Sequence, residues 1–337
     1  MSKKNLLFVL ETILLVAGSA SLAGCGSGSA SSQATPRPIA PHRLDTGPLG
    51  LPLYCPQYIT HDQQGNIYVG DNYLGKAIPH ARIVKLSPTG QLLGEWHVFT
   101  SFPPQDRPSG PFGLAVDAQG TIYVADAGDN TIKKLSPTGH LLATWGKTGS
   151  APGELSWPQG VALDPQGNVY VADFNNSRIQ KFSSTGTLLA VFGNTGSSIE
   201  LLRNPVGIAI DTQGNMYVSD IRHHRIVKFS PQGKFLLAWS GAGSKSFSSA
   251  KDLAVDSEGN VYVADSFTHR IVKFSPTGKV LAIWERPMDF MNGITVDLQG
   301  NVYFVAYPLV APGGGIRKLS PSGVLLSSWP LTCSAFG

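Results

Sequence analysis

Charge is what this sequence has least of. Asp, Glu, Lys and Arg make up 14% of its 337 residues, 22 acidic against 26 basic, for a net charge of only +4. Ordinary soluble domains carry about 25% charged residues. So slight a positive balance, with no basic stripe, excludes the electrostatic footprint that nucleic-acid binding rests on. Long apolar runs are also missing beyond the N-terminus, and the one there is interrupted by Glu11 and by Gly and Ser, which argues against a retained membrane span. No carboxylate cluster of the kind a calcium site needs stands outside a repeating set of aspartates. Cysteine occurs three times, at 25, 55 and 333, so each one needs its own reason. Glycine (38) and proline (24) are plentiful, as a turn-rich β protein requires.

The N-terminus has the form of an export signal. Lys3 and Lys4 precede an apolar stretch that ends in Leu22-Ala23-Gly24-Cys25. That ending resembles the lipobox of bacterial lipoproteins. The resemblance implies removal of residues 1–24, acylation of Cys25 and an extracytoplasmic protein held at a cell membrane or outer membrane. Two or three acyl chains anchor stably where one does not. A non-lipidated signal peptide is the alternative. Residues 25–50 are small, polar and proline-rich, and read as the lipidated cysteine followed by a flexible tether.

From residue 51 to 337 the chain repeats itself. Turn glycines recur at Gly65, Gly120, Gly167, Gly214, Gly259 and Gly300, at steps of 55, 47, 47, 45 and 41 residues. Each unit holds four short runs of alternating apolar residues, as in "GVALD", "NVYVAD", "RIQKF" and "LLAVFG" of the third, which predicts four strands. D-x-x-G joins the first two strands, and S-P-T-G or a close variant joins the last two. Six such units predict an all-β fold, a six-bladed β-propeller of four-stranded antiparallel blades. Pro158–Phe182, "PQGVALDPQGNVYVADFNNSRIQKF", and Pro205–Phe229, "PVGIAIDTQGNMYVSDIRHHRIVKF", resemble the NHL repeat family, and the resemblance extends over about residues 51 to 330. It specifies a fold far better than a function.

Most conspicuous side chains recur and are therefore expected to be structural. Tyr68, Tyr123, Tyr170, Tyr217, Tyr262 and Tyr303 share one position; Trp96, Trp145, Trp239, Trp284 and Trp329 share another, with Phe192 in the third unit. Asp71, Asp126, Asp173, Asp220 and Asp265 follow the tyrosines and are expected to accept loop amides, whereas the sixth unit has Ala306.

Both ends of the repeat array look like whole units. In a closed ring Cys55, just before the first strand, and Cys333, just past the last, become neighbours. A Cys55–Cys333 disulfide across the seam is therefore expected, and an oxidising compartment permits it. Two buried, unpaired thiols are the alternative.

The loops opposite the hairpin turns vary in length. From Asp71 to Ile83 is twelve residues and from Ala306 to Ile316 ten, against six in units 2 to 5. With the long stretch from Trp96 to Gly113, these loops flank the seam. They offer Tyr73, Lys76, His80, Phe99, Phe102, Arg107 and Tyr307 as candidate ligand-binding groups. The bland reading is drift in unconstrained loops.

The function expected is a non-enzymatic scaffold, a monomer that binds a protein, peptide or carbohydrate at the envelope, without cofactor and with no catalytic residue assigned. The resemblance also admits an enzyme, because related propellers include metal-dependent lyases, among them streptogramin lyases, and calcium-dependent lactonases. Such an enzyme would need a divalent metal. His80, His97, His223, His224 and His269 are its candidate ligands, but no lyase motif aligns residue by residue. RNA binding, known for some NHL domains, fits neither the export signal nor the charge.

Intact-mass spectrometry of protein from its native membrane tests the three cysteines together. Expected are loss of residues 1–24, acyl mass on Cys25, and a chain two hydrogens lighter than the dithiol; free thiols at Cys55 and Cys333 would exclude the clasp.

Overall fold

Each D-x-x-G turn is organised by one carboxylate. At Asp62, Oδ1 accepts the N–H groups of Gln64 (3.1 Å) and Asn66 (2.8 Å), while the Gly65 N–H closes on the Asp62 carbonyl at 2.9 Å. Gly65 has φ +78°, which glycine adopts without strain. The second oxygen takes Asn66 Nδ2 at 2.8 Å, the Tyr68 hydroxyl at 3.1 Å and the Lys85 ammonium at 3.2 Å. Asp164 gathers Asn168, Tyr170 and Lys181 in the same way. One aspartate thus ties the first hairpin to the third strand, which is why Asp, Gly, Tyr and Lys recur together. Burial opposes ionisation of Asp62 and Asp164, but their hydrogen bonds and lysines hold both carboxyls below the ordinary value.

The computed structural model describes residues 53, 56–72, 81–97, 110–194, 196, 198–242, 245–286, 289–308 and 315–330. Their strands form six four-stranded antiparallel sheets, each built from consecutive strands, plus a two-stranded ribbon of Gly241–Ala242 and Lys245–Ser246. In blade 3 the strands are Pro158–Leu163, Val169–Asp173, Arg178–Phe182 and Leu188–Phe192. The first strands of the other blades are Pro56–His61, Pro111–Val116, Pro205–Ile210, Ala250–Val255 and Asp289–Val296. Each first strand contacts the next, and the sixth returns to the first. The chain is a six-bladed β-propeller.

Packing is densest near the axis. A Cβ added at Gly113 would lie 2.1 Å from the Gln159 carbonyl oxygen of the next blade, and one at Gly160 2.5 Å from that of Val206. Glycine there lets neighbouring first strands approach. Second strands such as Val169–Asp173 are wholly buried, while outer strands leave residues such as Leu93 and Leu142 exposed. In blades 1 to 5 the outer aromatic packs across to the next blade. Trp96 covers Gly139, Trp145 covers Gly186, Phe192 covers Gly233 and Trp284 covers Gly323.

At the opposite end of the blades the post-tyrosine aspartates behave as expected. Asp173 Oδ1 accepts the Ser156 N–H at 2.7 Å, and Asp220 Oδ1 the Arg203 N–H at 2.7 Å. Each also pairs with a cation from the third strand: Arg82 with Asp71 (2.9 Å), Arg178 with Asp173 (2.7 Å), Arg225 with Asp220 (2.8 Å), Arg270 with Asp265 (3.2 Å) and Lys133 with Asp126. These pairs are buried and further hydrogen-bonded, the condition under which a desolvated ion pair is tolerated.

Blades 6 and 1 are both complete, and among the described residues no strand crosses the seam. Asn292 Nδ2 donates to Gln57 Oε1 (3.1 Å), the Tyr307 hydroxyl donates to the Pro56 carbonyl, and His61 Nδ1 and Thr295 Oγ1 lie 2.8 Å apart. Cys25, Cys55 and Cys333 lie outside the described residues.

The aromatic–glycine contact separates two costs. Gly139 (φ +82°) and Gly167 (φ +79°) share a backbone conformation, but a Cβ at Gly139 would lie 1.8 Å from Trp96 Cδ1 while one at Gly167 meets nothing within 4 Å. Gly167→Ala is expected to cost about 1 kcal/mol for its backbone alone. Gly139→Ala should lose about 2–4 kcal/mol, because the indole must also move. Thermal unfolding of the two variants side by side checks the difference.

Candidate ligand site in the central channel

Most of the residues expected from the sequence to bind a ligand fall outside the described residues: Tyr73, Lys76 and His80, then Phe99, Phe102 and Arg107. Tyr307 is described. It lies on the strand Val302–Pro308, half-buried, with its hydroxyl engaged by blade 1. The described histidines do not converge. His97 pairs with Glu95 (2.6 Å), His223 with Asp220 (2.8 Å), and the His269 ring rests on Phe290 with centroids 5.0 Å apart. His224 and His269, with φ +51° and +53°, fill the left-handed slot that Asn130 and Ser177 fill in other blades. Among the described residues no three His, Cys, Asp or Glu side chains are grouped as a metal site needs.

What the ring does assemble lies on its axis. Aligned by strand, the third position of the first strand is Gly113, Gly160, Gly207 and Gly293 in four blades, but Tyr58 in blade 1 and Asp252 in blade 5. The second position is Gln57, Phe112, Gln159, Val206, Lys251 and Asn292, all buried. Together they stop the channel. Tyr58 reaches over blade 2 to donate its hydroxyl to Gln159 Oε1 (3.0 Å), and its ring stands 6.4 Å from Phe112. Lys251 Nζ donates to Asn292 Oδ1 at 3.0 Å. Gln159 Nε2 is buried without a hydrogen-bond partner.

Below this layer a cavity of about 330 Å³ runs to the D-x-x-G face, where exposed Gln63, Ala118 and Leu298 border its mouth. Its walls are aliphatic, from Ile59, Leu114, Val161, Ile208, Leu253 and Ile294, and its closed end carries Tyr58 and Asp252. The opening is at the end of the blades opposite the post-tyrosine aspartates. The other titratable groups lining the cavity are His61, Asp62 and Asp117.

Asp252 is the anomaly. It is 8% exposed, and its Oδ2 accepts the Ile294 N–H at 3.0 Å. Burial pushes its carboxyl up to about 7, although the N–H groups of Ile294 and Leu253 pull the other way. Burial, and then the charge of Asp252, raise the Tyr58 hydroxyl well above its usual value. Burial lowers His61, against the pull of Asp297 and Asp62. Most other buried aspartates among the described residues pair with Lys or Arg, and Asp297 takes the side chains of Asn301 and Tyr303, whereas Asp252 is held by backbone donors. Neither residue stood out by sequence when loop length was the guide. The signal was there nonetheless, in the broken P-x-G consensus at "PQY" and "AKD".

Comparison with known proteins comes out as the geometry suggests. Residues 155–182, 202–229 and 247–274 match the NHL repeat, covering the first three strands of blades 3, 4 and 5. The chain is a six-bladed β-propeller that carries NHL repeats. Among solved structures it is similar to a streptogramin B lyase, at 17% identity over 83% of this chain and 84% of that one, with TM-score 0.58. A catalytically inactive variant of virginiamycin B lyase from Staphylococcus aureus, solved with quinupristin, is similar at 14% identity, 83% and 85% coverage and TM-score 0.56. A nidogen/laminin complex is similar at 20% identity, 81% and 92% coverage and TM-score 0.53. At these identities the likeness is one of fold. No curated protein matches the chain.

The Asp252 carboxyl makes stability depend on pH in a defined direction. Its folded value, about 7, lies above the unfolded value of about 4. The favourable contribution is complete below pH 4 and disappears as pH rises through 7, a loss of about 4 kcal/mol. Asp252→Asn removes this dependence. Chemical denaturation at pH 4.5 and 8 should show the variant gaining on wild type at the higher pH; equal differences at both would contradict the assignment.

Proposed function

We propose that the chain is an exported, lipid-anchored propeller that works as a single-chain binding scaffold at the cell envelope and takes its ligand into the central channel. Cys25 carries the anchor, residues 26–50 give the ring its reach, and a Cys55–Cys333 disulfide closes the seam. The observation that carries the binding reading is the pair of broken repeat positions. Tyr58 and Asp252 replace two of six axial positions and meet at the closed end of one cavity. A buried carboxyl paired only with backbone donors opposes folding at neutral pH, and such departures concentrate where a protein acts.

The alternative, a metal-dependent lyase or lactonase, would need convergent ligands that the described residues do not supply. The streptogramin lyases and the nidogen/laminin complex support the scaffold and transfer no ligand to this chain. The long seam loops with Tyr73, Lys76, His80, Phe99, Phe102 and Arg107 offer a second surface, suited to a protein, peptide or carbohydrate.

Native mass spectrometry of the protein from its own membranes tests the channel. Wild type should carry a small molecule that Ala209→Trp, which fills the cavity, does not. Equal recovery from both, or none from either, would remove the channel as the binding site.

A further inference from the structure

The chemistry of the cavity is narrow enough to specify what it takes, given the channel-binding reading above, on which this step rests. From Tyr58 to His61 the wall is extended strand, a span of about 10 Å, and the turn at Gln63 borders the mouth. Each of its six walls contributes a branched aliphatic residue at the position after the axial one: Ile59, Leu114, Val161, Ile208, Leu253 and Ile294. A polar ligand without an apolar body would leave these groups in contact with water.

The closed end supplies one acidic group held in place. The Asp252 carboxylate lies over Gly207, where a Cβ would come 2.9 Å from its Oδ1. The Ile294 N–H fixes the other oxygen. Among the described residues Asp252 makes no ion pair, and the neighbouring Lys251 directs its ammonium to Asn292 instead. Every post-tyrosine aspartate of the ring, in contrast, has its Arg or Lys. The position that completes Asp252 is therefore left to the ligand.

We propose that the channel binds a small organic amine, with its ammonium on Asp252 and its hydrocarbon body along the aliphatic wall. An incoming cation favours the ionised carboxylate, so binding to protein whose Asp252 is protonated releases a proton. The other titratable groups facing the cavity are Tyr58, His61, Asp62 and Asp117. Asp62 already has Lys85, and Tyr58 donates to Gln159, so neither replaces Asp252 as the partner of a cation.

The test is calorimetric titration of the full-length protein with benzylammonium chloride and, separately, with benzyl alcohol, which has nearly the same shape and no charge. At pH 6.5 the ammonium should bind at least tenfold more tightly than the alcohol. Its heat should differ between two buffers of unlike ionisation enthalpy, as proton release requires. Asp252→Asn should erase the preference, with circular dichroism confirming that the variant keeps its sheet. The wild-type measurements stand alone if it does not fold. Equal affinity for the two probes, both lost in Ala209→Trp, would overturn the amine while leaving the channel as a binding site. Failure of both probes to bind wild type, or binding of calcium chloride in preference to benzylammonium, would also overturn it. A native ligand lost in Ala209→Trp would still keep the channel reading in place.

Discussion

Six first strands must meet around one axis, and the room they leave governs the rest of the structure. Where the strands come closest, Gly113 and Gly160 abut the next blade's carbonyl oxygens, so a side chain is admitted only if the ring gives it the centre. Four blades accept that restriction with glycine. Blades 1 and 5 do not, and Tyr58 and Asp252 occupy the axis itself, blocking the channel and giving the cavity its chemical end. Crowding at the axis thus produces both the uniform ring and the one place where it is not uniform.

Around that centre the blade is a set of repeated local solutions. An aspartate at the hairpin turn collects backbone, Asn, Tyr and Lys donors; a second aspartate at the other end collects a loop amide and an Arg or Lys. An outer aromatic covers the neighbouring blade's turn glycine. These arrangements engage nearly all the conspicuous polar side chains of the repeat in holding the scaffold. The residue left over after such accounting is the informative one. Asp252 is buried like the others, yet its partners are only backbone N–H groups, and its carboxyl rises while those of Asp62 and Asp164 fall.

The repeat was readable because its causes are local. Gly65 and its equivalents are needed for positive φ, the alternating runs for half-buried strands, and both recur once in every unit. Even the two neighbouring histidines His223 and His224 resolve locally, one bonded to Asp220 and the other in a left-handed slot. The candidate site was less legible. Loop length points to residues 73–80 and 98–109, which lie outside the described residues, whereas the cavity opens on the face of the short, uniform turns. The clue was the loss of glycine at two aligned positions, and its meaning depends on knowing that the aligned positions face one another.

By itself, the sequence determined the blade count, the strand pattern, the turn chemistry and the role of the post-tyrosine aspartates in accepting loop amides. All of these follow from interactions between residues close in the chain. Only the tertiary structure decided that Tyr58, Gln159 and Asp252, separated by scores of residues, share one buried layer, and that Lys251 turns to Asn292 rather than to its neighbour. Burial and electrostatic environment belong to the closed ring, because each blade supplies only one side of the axis and the cavity exists once all six have met.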